Sequence, residues 1–95
     1  MAKTSIVRDF PGRAAPELYG EVEKVIQRLA EKYGLECVYD PSRQAIEVKE
    51  KLGVKGQCAV RDGHVAIELS HGMLGGMVAG QVKAYVEQKL DKLFT

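Results

Sequence analysis

The sequence has no excess of charge of one sign, no long apolar run and little cysteine. It carries 14 Lys and Arg against 13 Asp and Glu, a formal net charge of +1 over 95 residues. A nucleic-acid-binding domain usually shows a basic patch or stripe, so the composition does not favour a nucleic-acid partner. No apolar segment approaches the roughly 20 residues that span a bilayer. Residues 1–5 also lack the apolar core of a signal peptide, and we expect a soluble cytoplasmic protein without a transmembrane segment.

The side chains that most often bind metals are equally scarce. The only thiols and imidazoles are those of Cys37, Cys58, His64 and His71. Their spacing matches no zinc pattern, and no Cys-x-x-Cys is present. We therefore expect free thiols, no metal and no cofactor.

Motifs for nucleophilic catalysis and phosphate binding are incomplete. Ser70-His71, with Glu68 on the same predicted strand, could suggest nucleophile chemistry, but no oxyanion-donor motif accompanies them. The glycine-rich segment after Leu69 follows a strand and opens a helix, as phosphate-binding loops do, but it lacks both Gly-x-x-x-x-Gly-Lys-Ser/Thr and Gly-x-Gly-x-x-Gly. We predict no catalytic residues and no enzymatic activity.

What the sequence does have is ordinary globular composition with clear periodicity. Hydrophobic residues make up 45% of the chain, and a chain of this length buries about two-thirds of its unfolded surface around one thin core. We therefore predict one domain over residues 1–95.

The first helix is predicted over residues 16–33. Pro16 suits a first-turn position, and Gly34 suits a left-handed C-terminal cap. Apolar side chains recur at helical spacing and form one stripe: Leu18, Val22, Val25, Ile26, Leu29 and Tyr33.

Residues 35–70 alternate with period two, which is typical of strands. The turn signals Asp40-Pro41-Ser42, Lys51-Leu52-Gly53 and Asp62-Gly63 divide this region. Four strands are predicted, over 35–39, 45–49, 54–60 and 64–69, and residues 4–9 are predicted as a short edge strand. Every second side chain is apolar, so one sheet face is expected to be covered and the other to face water.

The last helix is predicted over residues 72–94, with Ser70 as its N-cap. Its apolar side is expected to contain Leu74, Val78, Val82, Tyr85, Val86 and Leu93. The predicted fold class is α+β: an antiparallel meander of four to five strands with two amphipathic helices on one face, in the order (β)-α-β-β-β-β-α.

The start of this helix is unusually rich in glycine and methionine. Gly72, Gly76 and Gly80 are spaced by four and line one flank, and Met73 and Met77 lie beside them. Close approach to a neighbouring loop or helix of the same chain is the favoured explanation. The other is a contact surface for another copy, a partner or a lipid-like layer, with adaptable methionines.

Several segments together resemble a known family. They are Ile46-Glu47-Val48, Gly53-Val54-Lys55-Gly56, residues 62–69 and residues 86–93. Over about residues 16–94 the chain resembles the polyhydroxyalkanoic acid system family, small bacterial proteins associated with polyester storage granules. The resemblance implies a helix, a strand meander and a long C-terminal helix, and it brings no catalytic residues.

Two functional hypotheses follow. The first is a non-enzymatic interaction protein whose C-terminal helix contacts a protein partner, another copy or an apolar granule surface. The second is a small carrier of acyl or lipid-like ligands held between the sheet and the helices.

Overall fold

The computed structural model describes residues 2–95 and confirms the predicted α+β fold. Five strands and two helices follow one another as predicted, with a short 3-10 turn before the last helix. The elements are β1 (Ala2–Asp9), α1 (Ala15–Tyr33), β2 (Cys37–Asp40), β3 (Ala45–Lys51), β4 (Val54–Arg61), β5 (His64–His71), the 3-10 turn (Met73–Gly75) and α2 (Gly76–Asp91).

All five strands form one antiparallel sheet in the order β1-β5-β4-β3-β2. Strands β2 to β5 make consecutive hairpins, which is the predicted meander. Strand β1 lies at the edge beside β5, so α1 carries the chain from one edge of the sheet to the other. Of the described residues, no helix is both long and apolar enough to cross a bilayer.

Helix α1 forms where its sequence signals predict. Pro16 lies in the first turn, and Gly34 closes the helix in the left-handed conformation at φ 68°. The Gly34 N–H donates to the carbonyl of Ala30, which satisfies one of the carbonyls that a helix end leaves open. The predicted apolar stripe is buried except for Tyr33, which packs at the edge of the core.

The core lies between both helices and one face of the sheet. Alternation in β4 is complete, since Val54, Gly56, Cys58 and Val60 are buried and the residues between them are exposed. The inward side chains of β3 and β5 follow the same period-two pattern. The opposite sheet face, here called the outer face, is covered by no helix of the described chain.

The start of the last helix was predicted wrongly. Ser70 is not an N-cap: it lies in β5, opposite Lys3 of β1 and Lys55 of β4. Helix α2 begins only at Gly76 and ends at Asp91, inside the predicted 72–94. Leu74 therefore precedes the helix and is 93% exposed rather than part of the core.

Candidate interaction surface

The segment from the end of β5 through the first turn of α2 carries the most exposed large apolar side chains in the described chain. Met73 is 97% exposed, Leu74 93% and Met77 79%. We call these three residues the apolar tip. Large apolar side chains exposed together are uncommon on monomeric proteins and mark contact surfaces.

The tip projects because two glycines bring its backbone against the β3–β4 turn. A Cβ on buried Gly75 would lie 2.8 Å from the carbonyl carbon of Gly53 and 3.2 Å from the Cβ of His71. The Gly72 N–H also donates to the Gly53 carbonyl over 3.3 Å. The backbone of the tip is thus anchored to the sheet while its side chains point outward.

The β3–β4 turn adds a fourth apolar side chain to this end of the molecule. Leu52 precedes Gly53, is 55% exposed and has φ of 56°. A left-handed backbone costs a leucine about 1–2 kcal/mol. Neither the exposure of the Leu52 side chain nor its left-handed backbone conformation stabilises the folded chain.

The chain segment that carries the tip has few charges. Between Glu68 and Glu87, the only charged residue is Lys83. On the supporting strand, Lys51 adjoins Leu52 and is itself preceded by Glu50, so this strand end adds one charge of each sign. Within residues 69–86 no acidic group disfavours contact of the tip with an apolar surface.

Of the predicted glycine flank, Gly72, Gly76 and Gly80, only a part packs against the rest of the chain. A Cβ at Gly72 or Gly80 would meet nothing within 4 Å, and one at Gly76 would meet only the His71 ring, at 3.8 Å. The intrachain close approach that we favoured is made by Gly75, which the sequence analysis did not single out. Its pairing with Gly53 joins segments more than 20 positions apart (75 − 53 = 22), so local spacing gives no signal for it.

The thiols and imidazoles do not converge. Cys58 points into the core from β4, where burial raises the pKa of its thiol to about 12. His64 lies on the outer face, and its Nδ1 is 2.8 Å from Asp9 Oδ1. Within residues 2–95, no three His, Cys, Asp or Glu side chains are grouped as a metal ion would require.

The space between the sheet and the helices is filled. The void lined by core residues such as Ile26, Val54 and Val86 measures about 10 Å³, and about 10–15 Å³ is needed for one water. Ligand pockets are typically about 300–1,000 Å³. This core has no room for an acyl chain, which removes the main support for the carrier hypothesis.

The outer face holds a shallow open groove of about 550 Å³. Its floor is a row of alanines paired across three strands, Ala45, Ala59 and Ala66. The next row carries Glu47 and Glu68. Basic residues on this face, such as Lys49, Lys55 and Arg61, are interspersed with these acids and do not form a basic stripe.

Comparison with known proteins gives one family match and two related folds. The family model described as "Putative polyhydroxyalkanoic acid system protein" matches residues 15–94. No curated protein matches the chain.

Among solved structures, a TBP-like protein from Parabacteroides distasonis has a TM-score of 0.60 at 12% identity, over 72% of this chain and 53% of that one. The chain thus spans about half the length of that relative. A DUF4468 family protein from Bacteroides ovatus has a TM-score of 0.59 at 13% identity, over 94% of this chain and 80% of that one. At this identity the likeness concerns the fold alone.

Proposed function

The chain belongs to the polyhydroxyalkanoic acid system family, and from this premise we propose that it is a non-enzymatic protein that attaches to polyester granules by inserting its apolar tip. The observation that carries the proposal is the near-complete exposure of Met73, Leu74 and Met77 on an anchored backbone. A polyester surface offers methylene and methyl groups to such side chains.

The energy available from the tip is enough for reversible attachment. Burying one Leu or Met side chain contributes about 1.5–3 kcal/mol, so three together approach the contribution of one myristoyl chain. A single such chain binds membranes only marginally, with an association constant of about 10⁴ M⁻¹. One tip would therefore hold the protein at a granule transiently.

The size of the tip favours an apolar layer over a protein partner. A stable protein interface buries about 800 Å² per partner and involves about 20–30 residues a side. Three projecting side chains with Leu52 beside them fall far short of this. Insertion into a deformable layer needs no shape-matched partner, and flexible methionines adapt to irregular surfaces.

Co-sedimentation with polyhydroxyalkanoate particles tests the proposal. A triple variant, Met73→Gln, Leu74→Gln and Met77→Gln, removes the apolar tip without touching the core. Val38→Gln is the matched control, because Val38 is 45% exposed on the outer face. We expect the triple variant to bind at least about tenfold more weakly, the loss of about 1.4 kcal/mol or more, and Val38→Gln to bind as the unchanged chain does.

Circular dichroism and urea unfolding establish that both variants fold. Equal sedimentation of the triple variant and the unchanged chain would reject tip insertion. Loss of binding in Val38→Gln alone would move the contact to the outer face.

A further inference from the structure

The sheet has one long open edge. Strand β1 runs for eight residues, Ala2–Asp9, contains no proline and pairs only with β5. The other edge strand, β2, has four residues and is followed directly by Pro41. Short strands and prolines protect an edge from pairing with another chain, whereas a long regular strand exposes it.

The free backbone groups on β1 are those of the odd-numbered residues. Phe10 N–H donates to the Gly63 carbonyl over 2.8 Å, which makes this a hydrogen-bonded position of the β1–β5 ladder. Such positions alternate along an antiparallel pair. Even-numbered residues therefore bond to β5, and the N–H and C=O groups of Lys3, Ser5, Val7 and Asp9 point away from the sheet.

One of these groups already has a partner within the chain. The Val7 carbonyl accepts a hydrogen bond from Arg8 Nη1 over 2.9 Å, which agrees with its outward direction. The Arg8 side chain keeps its Nε bond to Asp91 and its Nη2 bond to Glu87 without this contact. Strand pairing at the edge would replace one side-chain bond by a backbone bond.

Two-fold pairing of β1 with itself has one register that uses the whole edge. If the axis passes through Ile6, Lys3 lies opposite Asp9 and Ser5 opposite Val7. All four outward-facing residues then exchange both backbone hydrogen bonds. An axis at Ser5 places Asp9 opposite Met1, outside the described residues, and an axis at Val7 places Lys3 opposite Pro11, which has no N–H.

The same register matches the side-chain charges. Lys3 and Asp9 are both on the outer face, because Ile6 between them points into the core. Their side chains are 67% and 75% exposed, and each has one intrachain contact, Lys3 with Glu68 over 3.5 Å and Asp9 with His64 over 2.8 Å. Pairing around Ile6 places Lys3 of each copy beside Asp9 of the other, and directly opposed opposite charges stabilise strand pairs.

We propose that this protein forms a two-fold dimer in which β1 pairs antiparallel with β1 of a second copy around Ile6, giving one continuous sheet. The backbone edge supplies the affinity, as in other cases of strand addition, and the Lys3–Asp9 pairs fix the register. This inference stands independently of granule binding.

The symmetry has a consequence for the tip. The two-fold axis of an antiparallel strand pair is perpendicular to the sheet, so the helices of both copies lie on the same side. Each tip follows β5 near the end of β1 that begins with Ala2, because Ala2 lies opposite His71. The two tips would therefore lie at opposite ends of the shared ladder, about 25–30 Å apart from the rise of about 3.4 Å per strand residue.

Light scattering after size-exclusion chromatography tests the dimer over a range of concentrations. We expect the unchanged chain to show twice the 10.5 kDa of one copy. Ser5→Pro removes an outward N–H and leaves the β1–β5 bonds in place, so we expect it to be monomeric. Ser5→Ala keeps the N–H and should remain dimeric.

Charge variants test the register without affecting the backbone. Lys3→Glu alone places a carboxylate beside Asp9 of the other copy. We expect the dissociation constant of the dimer to rise at least about tenfold. Lys3→Glu combined with Asp9→Lys restores opposite charges and should restore the dimer. The tip variant Met73→Gln, Leu74→Gln, Met77→Gln should still dimerise, which separates this inference from the proposed function.

Three results would overturn the dimer. A single-copy mass for the unchanged chain at every accessible concentration rejects it directly. A dimer that survives both Ser5→Pro and Lys3→Glu is formed by another surface. A dimer lost in the tip variant is formed by the tip.

Discussion

Gly75 lies so close to Gly53 that it has no room for a side chain: a Cβ on Gly75 would be 2.8 Å from the Gly53 carbonyl carbon, and one on Gly53 would make a tight contact of 3.2 Å with the Gly75 nitrogen. Gly53 also has φ of 78°, a conformation that glycine adopts without strain. This contact fixes where the apolar tip lies relative to the sheet.

Gly75→Ala should therefore displace the tip and destabilise the fold. Overpacking of this kind costs about 1–3 kcal/mol, and urea unfolding measures it directly. Gly72→Ala is the control, since its Cβ would meet open space and its backbone is already extended. We expect Gly72→Ala to change the free energy of unfolding by less than about 0.5 kcal/mol. Equal effects of the two substitutions would contradict this account of the contact.

Gly80→Ala should stabilise the protein. Gly80 lies within α2 with nothing within 4 Å of its Cβ position, and Ala is favoured over Gly in a helix by about 1 kcal/mol. Gly20 in α1 is equally unobstructed, so Gly20→Ala provides a matched comparison in thermal unfolding. If Gly80→Ala stabilises the chain as much as Gly20→Ala does but weakens granule binding, Gly80 belongs to the contact surface. A loss of stability in Gly80→Ala would show that the glycine is needed for packing.

Arg8 connects the first strand to the last helix. Its Nε donates to Asp91 Oδ1 over 2.7 Å and its Nη2 to Glu87 Oε2 over 3.0 Å. The pair is part-exposed, so screening by solvent limits its contribution to about 1 kcal/mol. Arg8→Ala should lower the free energy of unfolding by this amount, less at high salt. Arg8→Lys should recover only part of it, because an ammonium cannot bond both carboxylates with the geometry of the guanidinium fork. Full recovery in Arg8→Lys would indicate that charge alone matters.

Two tyrosines make the fold sensitive to alkali. Burial raises the pKa of Tyr19 to about 12 and is also the main cause that raises the pKa of Tyr39 to about 12, against about 10 in an unfolded chain. Because the raised pKa favours the neutral phenol in the folded state, the associated stability is complete below pH 10. It is lost as the pH rises towards 12. Unfolding free energies measured at intervals over this range should decline.

Tyr19→Phe isolates one of these groups. The buried Tyr19 hydroxyl makes no hydrogen bond of acceptable geometry, although the nearby Glu23 carboxylate adds to the rise in its pKa, so removing it should cost little at neutral pH or stabilise the fold slightly. The variant should also lose less stability between pH 10 and 12 than the unchanged chain. A destabilisation of more than about 1 kcal/mol at pH 7 would mean that the hydroxyl has a partner, such as an ordered water.

Most of the fold could be predicted from the sequence because its signals are local. A glycine such as Gly34 after an apolar helical stripe marks the end of a helix. Period-two alternation between two turn signals marks a strand, and both signals span only a few residues. The error at Ser70 arose from a non-local cause. Strand β5 extends to His71 because it pairs there on both sides, with Ala2 of β1 and with Val54 of β4, and the local residue pattern around Ser70 does not reveal these partners.

The sequence identified two of the three residues of the apolar tip, but it did not predict how the tip is arranged. Met73 and Met77 were among the predicted contact residues, whereas Leu74 was assigned to the core because it lies four positions before Val78. Its exposure depends on the 3-10 turn, which the Gly53–Gly75 contact supports. Likewise, the edge of β1 becomes visible only when the order of strands in the sheet is known.

If both proposals hold, dimerisation should strengthen granule binding without any new contact to the granule. One tip binds marginally, as estimated above, and a second tip of the same dimer that reaches the same granule binds at high effective concentration, which raises overall affinity by about 10² or more. Ser5→Pro should therefore weaken binding to polyhydroxyalkanoate particles at least about tenfold, although its tip is unchanged. Ser5→Ala should bind as the unchanged chain does.

Because the second attachment is intramolecular, the loss of affinity in Ser5→Pro should appear mainly as faster release from the particles, measured by dilution after loading. A monomeric Ser5→Pro protein that binds and dissociates like the dimer would show that the two tips do not engage one surface together, while leaving dimerisation and single-tip insertion each supported by its own experiment.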